Sequence, residues 1–149
     1  MMDKKKMILY HGSKKDLDIL KPFVSDNRRS AVYASTDFNF ALCYSGYQWN
    51  DSLIRQSYYN KQLTLIELRQ DIFKELFNTS GYVYTIDSDK FIKVPNGVYT
   101  EYYSFDEVYI KDKLYIENVL DKIRDSNIDL YYYPDKPNWF YNISRKLEN

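Results

Sequence analysis

Apolar positions along this chain gather in short runs, and few stretches keep a helical period. The run ending at Tyr10, from Lys6, reads as a first strand and stops at His11-Gly12-Ser13. Lys14 to Pro22 is a charged connection anchored by Leu17, Ile19 and Leu20, and Ser25 to Arg29 is polar and loop-like. Ser30 to Ala34 predicts a second short strand. Ser35-Thr36-Asp37 then supplies helix N-cap chemistry, Phe40, Ala41 and Tyr44 follow at helical spacing, and Gly46 is a stop signal.

Tyr47 to Asn60 is polar and rich in tyrosine, and reads as loop with some helix. Leu63 to Leu68 predicts a strand, Asp71 to Phe77 one or two helical turns, and Gly81 to Ile86 a clear strand. Phe91 to Val94 and Val98 to Tyr103 flank Pro95-Asn96-Gly97, the chemistry of a hairpin turn. Glu107 to Ile110 is a further strand candidate. From Ile116, apolar residues recur at Val119, Leu120 and Ile123, which predicts a helix. The segment from Tyr131, about 131–149, is aromatic and is expected to pack on the rest of one domain spanning 1–149. Many short strands with few, short helices predict an α+β domain with mixed or antiparallel sheets.

Composition narrows the partners. A chain of 149 residues buries roughly 70% of its unfolded surface, so neither a disulfide nor a metal is needed for folding. Lys plus Arg and Asp plus Glu are 21 each, which argues against a binder held to nucleic acid by overall charge. One cysteine, Cys43, and one histidine, His11, cannot build a thiolate–imidazole zinc cage. No metal and no membrane contact are expected, and a reducing, cytoplasmic setting is the simplest reading. Tyrosine numbers 17; strand propensity and an amphipathic ring account for most of them.

Three segments carry candidate chemistry: YHGS at 10–13, VYASTDFNFALCYS at 32–45 and VYTEYYSFDEVYI at 98–110. Together they offer one imidazole, two spaced tyrosines and a carboxylate. Singly, each has an ordinary structural role. His11 could be a satisfied hydrogen bonder, Tyr33 and Tyr44 core residues, Ser13 a turn former, Glu101 a solvent-facing strand residue and Cys43 a small apolar filler.

In order and spacing these segments resemble the three motif regions of the ADP-ribosyltransferase superfamily. The branch is the His-Tyr-Glu one, with the poly(ADP-ribose) polymerases and diphtheria-toxin-like enzymes. His11-Gly12-Ser13 matches the first motif, Tyr33, Ala41 and Tyr44 the second, and Glu101-Tyr102 the third. The resemblance implies two small sheets around a central NAD cleft, on which Tyr10 to Ser13, Tyr33 and Glu101 converge. It implies mono-ADP-ribosyl transfer from NAD to a protein, nucleic acid or small-molecule acceptor, with release of nicotinamide. Glu101 and His11 are the implied catalytic residues. NAD would be bound by His11, Gly12, Ser13, Tyr33 and Tyr44: His11 on the adenosine-side ribose, the Gly12 backbone on the carboxamide, and the two tyrosines about the nicotinamide ring.

Two departures shape that reading. Tyr99 stands two residues before Glu101, where the arginine-modifying branch has Glu or Gln, so that acceptor class is disfavoured. Phe40 stands where the polymerases often carry a serine that bonds the carboxamide. The alternative is a catalytically silent module of the same fold that binds a nucleotide or a partner protein. A hydrolase pairing Glu101 with Asp106 or Glu107 needs carboxylates about 5 to 9.5 Å apart across a sugar, and nothing in the spacing favours it.

Overall fold

The computed structural model describes residues 7–25 and 28–140. In chain order the strands are β1 (Ile8–Ser13), β2 (Ile19–Leu20), β3 (Phe23–Ser25), β4 (Arg28–Ser35), β5 (Ile54–Tyr59), β6 (Gln62–Glu67), β7 (Gly81–Asp87), β8 (Ile92–Lys93), β9 (Glu101–Ser104), β10 (Val108–Tyr109), β11 (Asp112–Ile116) and β12 (Asp129–Tyr131). The helices α1 (Phe38–Leu42), α2 (Ile72–Phe77) and α3 (Val119–Arg124) are short, and a further helical turn lies at 138–140. The protein is α+β, with sheet predominating.

One seven-stranded sheet organises the fold, in the order β11-β7-β1-β4-β9-β8, with β3 attached to β4. Every pairing along it is antiparallel. A second sheet runs β12-β6-β5, with β12 parallel to β6, and β10 and β2 form a small ribbon. The resemblance implies two small sheets; among the described residues there are one large sheet, with a weak seam, a separate three-stranded sheet and the small ribbon. Strands β1 and β7 pair over six positions, yet β1 and β4 share a single described pair, Tyr10 with Ser35. No further pair between the two strands is described.

Strand alternation sends successive side chains to opposite faces. Tyr10 and Val83 join the larger core, built with α1, α2, α3, β5 and β6 from residues such as Leu42, Ile54, Leu65, Phe73, Phe77 and Ile123. Leu9, Val32, Ala34, Tyr84 and Ile86 face the other way and pack with Leu20 and Val108 from the small ribbon. Burying each of these large aliphatic or aromatic side chains is worth about 1.5–3 kcal/mol, so both faces contribute to stability. A buried carboxylate ties the far end of the larger core together. Glu67 accepts from the Phe73 amide in the first turn of α2 at 2.8 Å and from the Tyr133 amide at 3.0 Å.

Several local expectations are corrected. Arg28 and Arg29, read as loop, begin β4, and Ile19–Leu20, read as connection, form β2. The stretch from 47 to 60, read as loop with some helix, holds β5. There Ile54, Gln56 and Tyr58 alternate with Arg55, Ser57 and Tyr59 against a full-length partner strand. Ile116 ends β11, and α3 starts only at Val119, where Asn118 caps it by accepting from the Asp121 amide. Helix α1 stops at Leu42, short of Tyr44 and Gly46. Backbone amides of Tyr44 and Ser45 take Ala41 O and Leu42 O, and side chains add to them: Ser45 Oγ donates to Leu42 O at 2.6 Å and the Trp49 indole to Cys43 O at 3.1 Å. The Pro95-Asn96-Gly97 turn does join two paired strands, β8 and β9. At the C-terminal end Trp139 stacks on Tyr59, with centroids 5.1 Å apart and planes 10° apart; 141–149 lie outside the described residues.

Candidate active site

The seam between β1 and β4 brings the three motif segments together. Tyr10 pairs with Ser35 across the seam, and Ser35 pairs with Glu101 on the next strand. His11 therefore lies one residue from a row that reaches Glu101 in two strand spacings, about 10 Å. Register puts Tyr33, Ser35, Glu101 and Tyr103 on the Tyr10 face, while His11 sits on the Leu9 face. At the seam this division is bridged, because the His11 ring reaches the backbone of β4.

His11 Nδ1 lies 2.6 Å from the carbonyl oxygen of Tyr33. A carbonyl only accepts, so Nδ1 carries the proton and Nε2 of the neutral ring is an acceptor. Its ring centroid is 6.3 Å from that of Tyr84. Burial lowers the His11 pKa below its ordinary value, with the Tyr33 carbonyl bond opposing. The folded ring thus takes a proton less readily than the unfolded one. Stability attributable to His11 is fully present above the unfolded value of about 6.5 and falls as pH drops below it, by at most about 1.4 kcal/mol per pH unit. Urea unfolding at pH 7.5 and 5.5 checks this: the loss between the two should be smaller in His11→Asn than in the wild type. Equal losses would show that the ring does not titrate differently in the two states.

Gly12 faces α1 directly. A Cβ built there would lie 1.9 Å from Ala41 O and 3.1 Å from Ser45 N. The missing side chain thus admits the backbone of the helix. Gly81, paired nearby on β7, does the same for Ser45 O at 2.0 Å. Ser13 makes a turn: its Oγ accepts from the Lys15 amide at 3.1 Å.

Glu101 opens β9 and is half-buried. A pocket of about 330 Å³ is lined by Tyr33, Glu101, Tyr103 and the turn residues Val94, Pro95, Asn96 and Gly97. The backbone brackets the carboxylate's strand from both sides, with the Glu101 amide donating to Val98 O at 3.0 Å and the Val94 amide donating to Glu101 O at 3.1 Å. A Cβ on Gly97 would lie 2.8 Å from Glu101 Oε1, so the turn sits directly against the carboxylate. Tyr33 and Tyr103 rings meet at 5.8 Å across β4 and β9.

Tyr44 belongs to a different aromatic group. It stacks on Trp49 with centroids 5.1 Å and planes 17° apart, touches Phe40 at 5.4 Å, and donates its hydroxyl proton to Gln56 Oε1 at 2.8 Å. The ring next to Tyr33 is Tyr103, and the ring stacked on Tyr44 is Trp49. Of the sequence-predicted residues, Tyr33 and Glu101 line one pocket, His11 holds the backbone of that same tyrosine, Gly12 and Ser13 shape the strand end, and Tyr44 stands beside α1.

The sequence reading missed Tyr103, Thr100 and Tyr58. Tyr103 was within reach, since alternation puts it on the same face as Glu101. Tyr58 was not, because its stretch read as loop.

Cys43 is fully buried beside α1, with Sγ 3.3 Å from Asn39 O. Burial, opposed by the Gln56 amide, pushes its thiol up to about 12. The thiolate is the reactive form, so native protein at pH 8 is expected to resist a thiol-specific reagent and to react stoichiometrically once unfolded. Rapid labelling of the native protein would contradict this and reopen a chemical role for Cys43.

Among the described residues no group of three or more His, Cys, Asp or Glu could hold a metal ion, and no helix is long and apolar enough to cross a membrane. No family model matches the chain, and neither a curated protein nor a solved structure matches it.

Proposed function

We propose that the chain is an NAD-dependent mono-ADP-ribosyltransferase of the His-Tyr-Glu type, with the split sheet as its NAD cleft. The observation that supports this is the seam itself. Three segments far apart in sequence, around His11, Tyr33 and Glu101, are joined there by one cross-strand row and one imidazole–carbonyl bond. The donor set fits the substrate. A neutral imidazole with Nε2 as acceptor suits a ribose hydroxyl, and a pocket of about 330 Å³ with an aromatic wall and a carboxylate suits a flat ring joined to a sugar.

In this reading, cleavage of the bond between nicotinamide and ribose builds positive charge on the ribose. Glu101 stabilises that charge, which is present in the transition state and not in bound NAD. Nicotinamide leaves with the bonding electrons, and the acceptor attacks the same carbon and loses a proton. Tyr33 is the aromatic wall beside the reacting centre. Tyr44 would serve as a second wall only from a ring already stacked on Trp49.

A silent module that binds a nucleotide or a partner protein is the second reading. Phe40 favours it, since this aromatic residue stands where a carboxamide-bonding serine would serve the polymerases. Its ring is also engaged with Tyr58, at 6.0 Å and 7°. Incubation of the protein with NAD labelled in the adenylate and with a cell lysate separates the two. Label on protein, nucleic acid or a small molecule, with release of nicotinamide, supports transfer. Binding of NAD with neither transfer nor hydrolysis supports the silent module.

A further inference from the structure

We infer that Tyr58, on the separate three-stranded sheet, is a positioning residue for Glu101, acting through a closed ring of hydrogen bonds that ends at Thr100. The inference rests on the proposed role of Glu101.

Four groups form the ring. Tyr58 OH lies 2.7 Å from Asp37 Oδ2 and 3.1 Å from Thr100 Oγ1; Ser35 Oγ lies 3.0 Å from Thr100 Oγ1; and the Asp37 amide lies 3.0 Å from Ser35 Oγ. The carboxylate fixes the direction of every bond. Asp37 can only accept, so Tyr58 spends its one proton there. Thr100 must then donate to the Tyr58 oxygen, Ser35 donates to Thr100, and the Asp37 amide donates back to Ser35. Each hydroxyl in the ring gives one proton and receives one, the arrangement in which neighbouring bonds strengthen one another. Burial raises the Tyr58 pKa, with the Thr100 bond opposing and Asp37 adding to the rise, so its hydroxyl keeps its proton across the working pH range.

The ring converges on the residue before Glu101. Thr100 is buried, and its carbonyl also accepts from the Thr36 amide at 2.9 Å. The other Asp37 oxygen, Oδ1, caps α1 through the Asn39 amide at 2.9 Å. The ring therefore joins β4, the start of α1, β5 and the start of β9 at one point. The Tyr58 ring is itself held between Phe40, stacked at 6.0 Å, and Tyr99, edge-on at 4.9 Å. Removing the hydroxyl alone should leave that packing in place, open the ring and leave Thr100 Oγ1 with Ser35 alone.

The test uses Tyr58→Phe, Thr100→Val, their double variant and Thr100→Ser, which keeps the hydroxyl. Amide hydrogen exchange is read at Thr36 and Glu101 relative to Val83 in the core of β7, and steady-state kinetics are read with NAD. Expected for Tyr58→Phe are an acceleration of exchange over wild type at Thr36 and Glu101 at least about tenfold greater than the acceleration at Val83, and kcat about 10- to 100-fold lower, the scale of a misplaced catalytic group, with KM for NAD within about twofold. Thr100→Val should do the same. The double variant should be little worse than either single one, because both break the same ring, and Thr100→Ser should stay near wild type.

Unchanged exchange at Thr36 and Glu101 in Tyr58→Phe would overturn the inference whatever the activity. Faster exchange with unchanged kcat would overturn it as well, because the ring would then hold a residue whose placement does not matter. If the wild type does not turn over NAD while exchange rises as expected, the transferase reading falls and the hold of Tyr58 on Glu101 stands.

Discussion

Glu101→Gln is expected to lower kcat for ADP-ribosyl transfer by about 100- to 1000-fold while leaving KM for NAD within about threefold. Gln keeps the shape and hydrogen-bonding reach of Glu and removes its charge. Losing one preorganised electrostatic contact to a developing charge costs about that much in rate. Because the charge develops only in the transition state, ground-state binding should be nearly untouched. The pocket supports such a clean reading: the residue is bracketed by the Val94 and Val98 backbone bonds and by the Gly97 turn, none of which depends on the carboxylate charge. His11→Ala should behave differently and raise KM as well, because its proposed bond is to a part of NAD that does not react. Steady-state kinetics with labelled NAD measure both. Full activity in Glu101→Gln would remove Glu101 from catalysis, and with it the main chemical argument for the site.

Gly12→Ala is expected to destabilise the protein by about 3 kcal/mol, the upper part of the range for overpacking a tight core. The obstacle is backbone on both sides. The added carbon would sit 1.9 Å from Ala41 O, where ordinary contact begins near 3.4 Å, and a carbonyl oxygen in α1 cannot rotate aside. Helix α1 would have to lift, drawing buried Phe40, Ala41 and Leu42 out of the larger core. For a chain of this size the change should lower Tm by about 6–12 °C. Gly97→Ala is the contrast. Its Cβ would meet Glu101 Oε1 at 2.8 Å, Val94 Cγ1 at 2.9 Å and Val94 Cβ at 3.0 Å, all side-chain atoms and none as close as Ala41 O is to Gly12, so its cost in stability should be smaller and its effect should fall on the Glu101 pocket. Thermal unfolding of the two variants decides the point. Equal, small losses would mean that α1 accommodates the methyl group and that Gly12 is not there for packing.

What the chain showed by itself was what depends on near neighbours. The runs at 63–68 and 81–86 and the hairpin turn at 95–97 were legible because strand alternation and turn chemistry are written within a few residues; the first run marked β1, but the strand continues through His11-Gly12-Ser13, where the sequence put its stop, and Lys6 lies outside the described residues. Asp37 was legible as part of a helix start for the same reason, and its side chain accepts from the Asn39 amide at 2.9 Å. The three candidate segments were also legible, as residue types at matching intervals.

Tertiary structure decided the rest, through contacts between residues far apart in sequence. Polar, tyrosine-rich β5 became a strand because β6 pairs along its whole length and offers Ile54, Gln56 and Tyr58 an inner face. Ile116 went to β11 and not to the helix because β7 supplies Gly81 as its partner. Gly12 stands where it does because a helix about thirty residues later lies against it. Tyr58 reaches Thr100 across 42 residues of chain, through an oxygen whose partner no local pattern could name. At the seam on which the candidate site depends, β1, paired over six positions with β7, meets β4, paired over four with β9, through the one pair Tyr10 and Ser35. Alternation tells each strand which side is in; which strands meet, and over how many residues, is set by partners far away in the sequence.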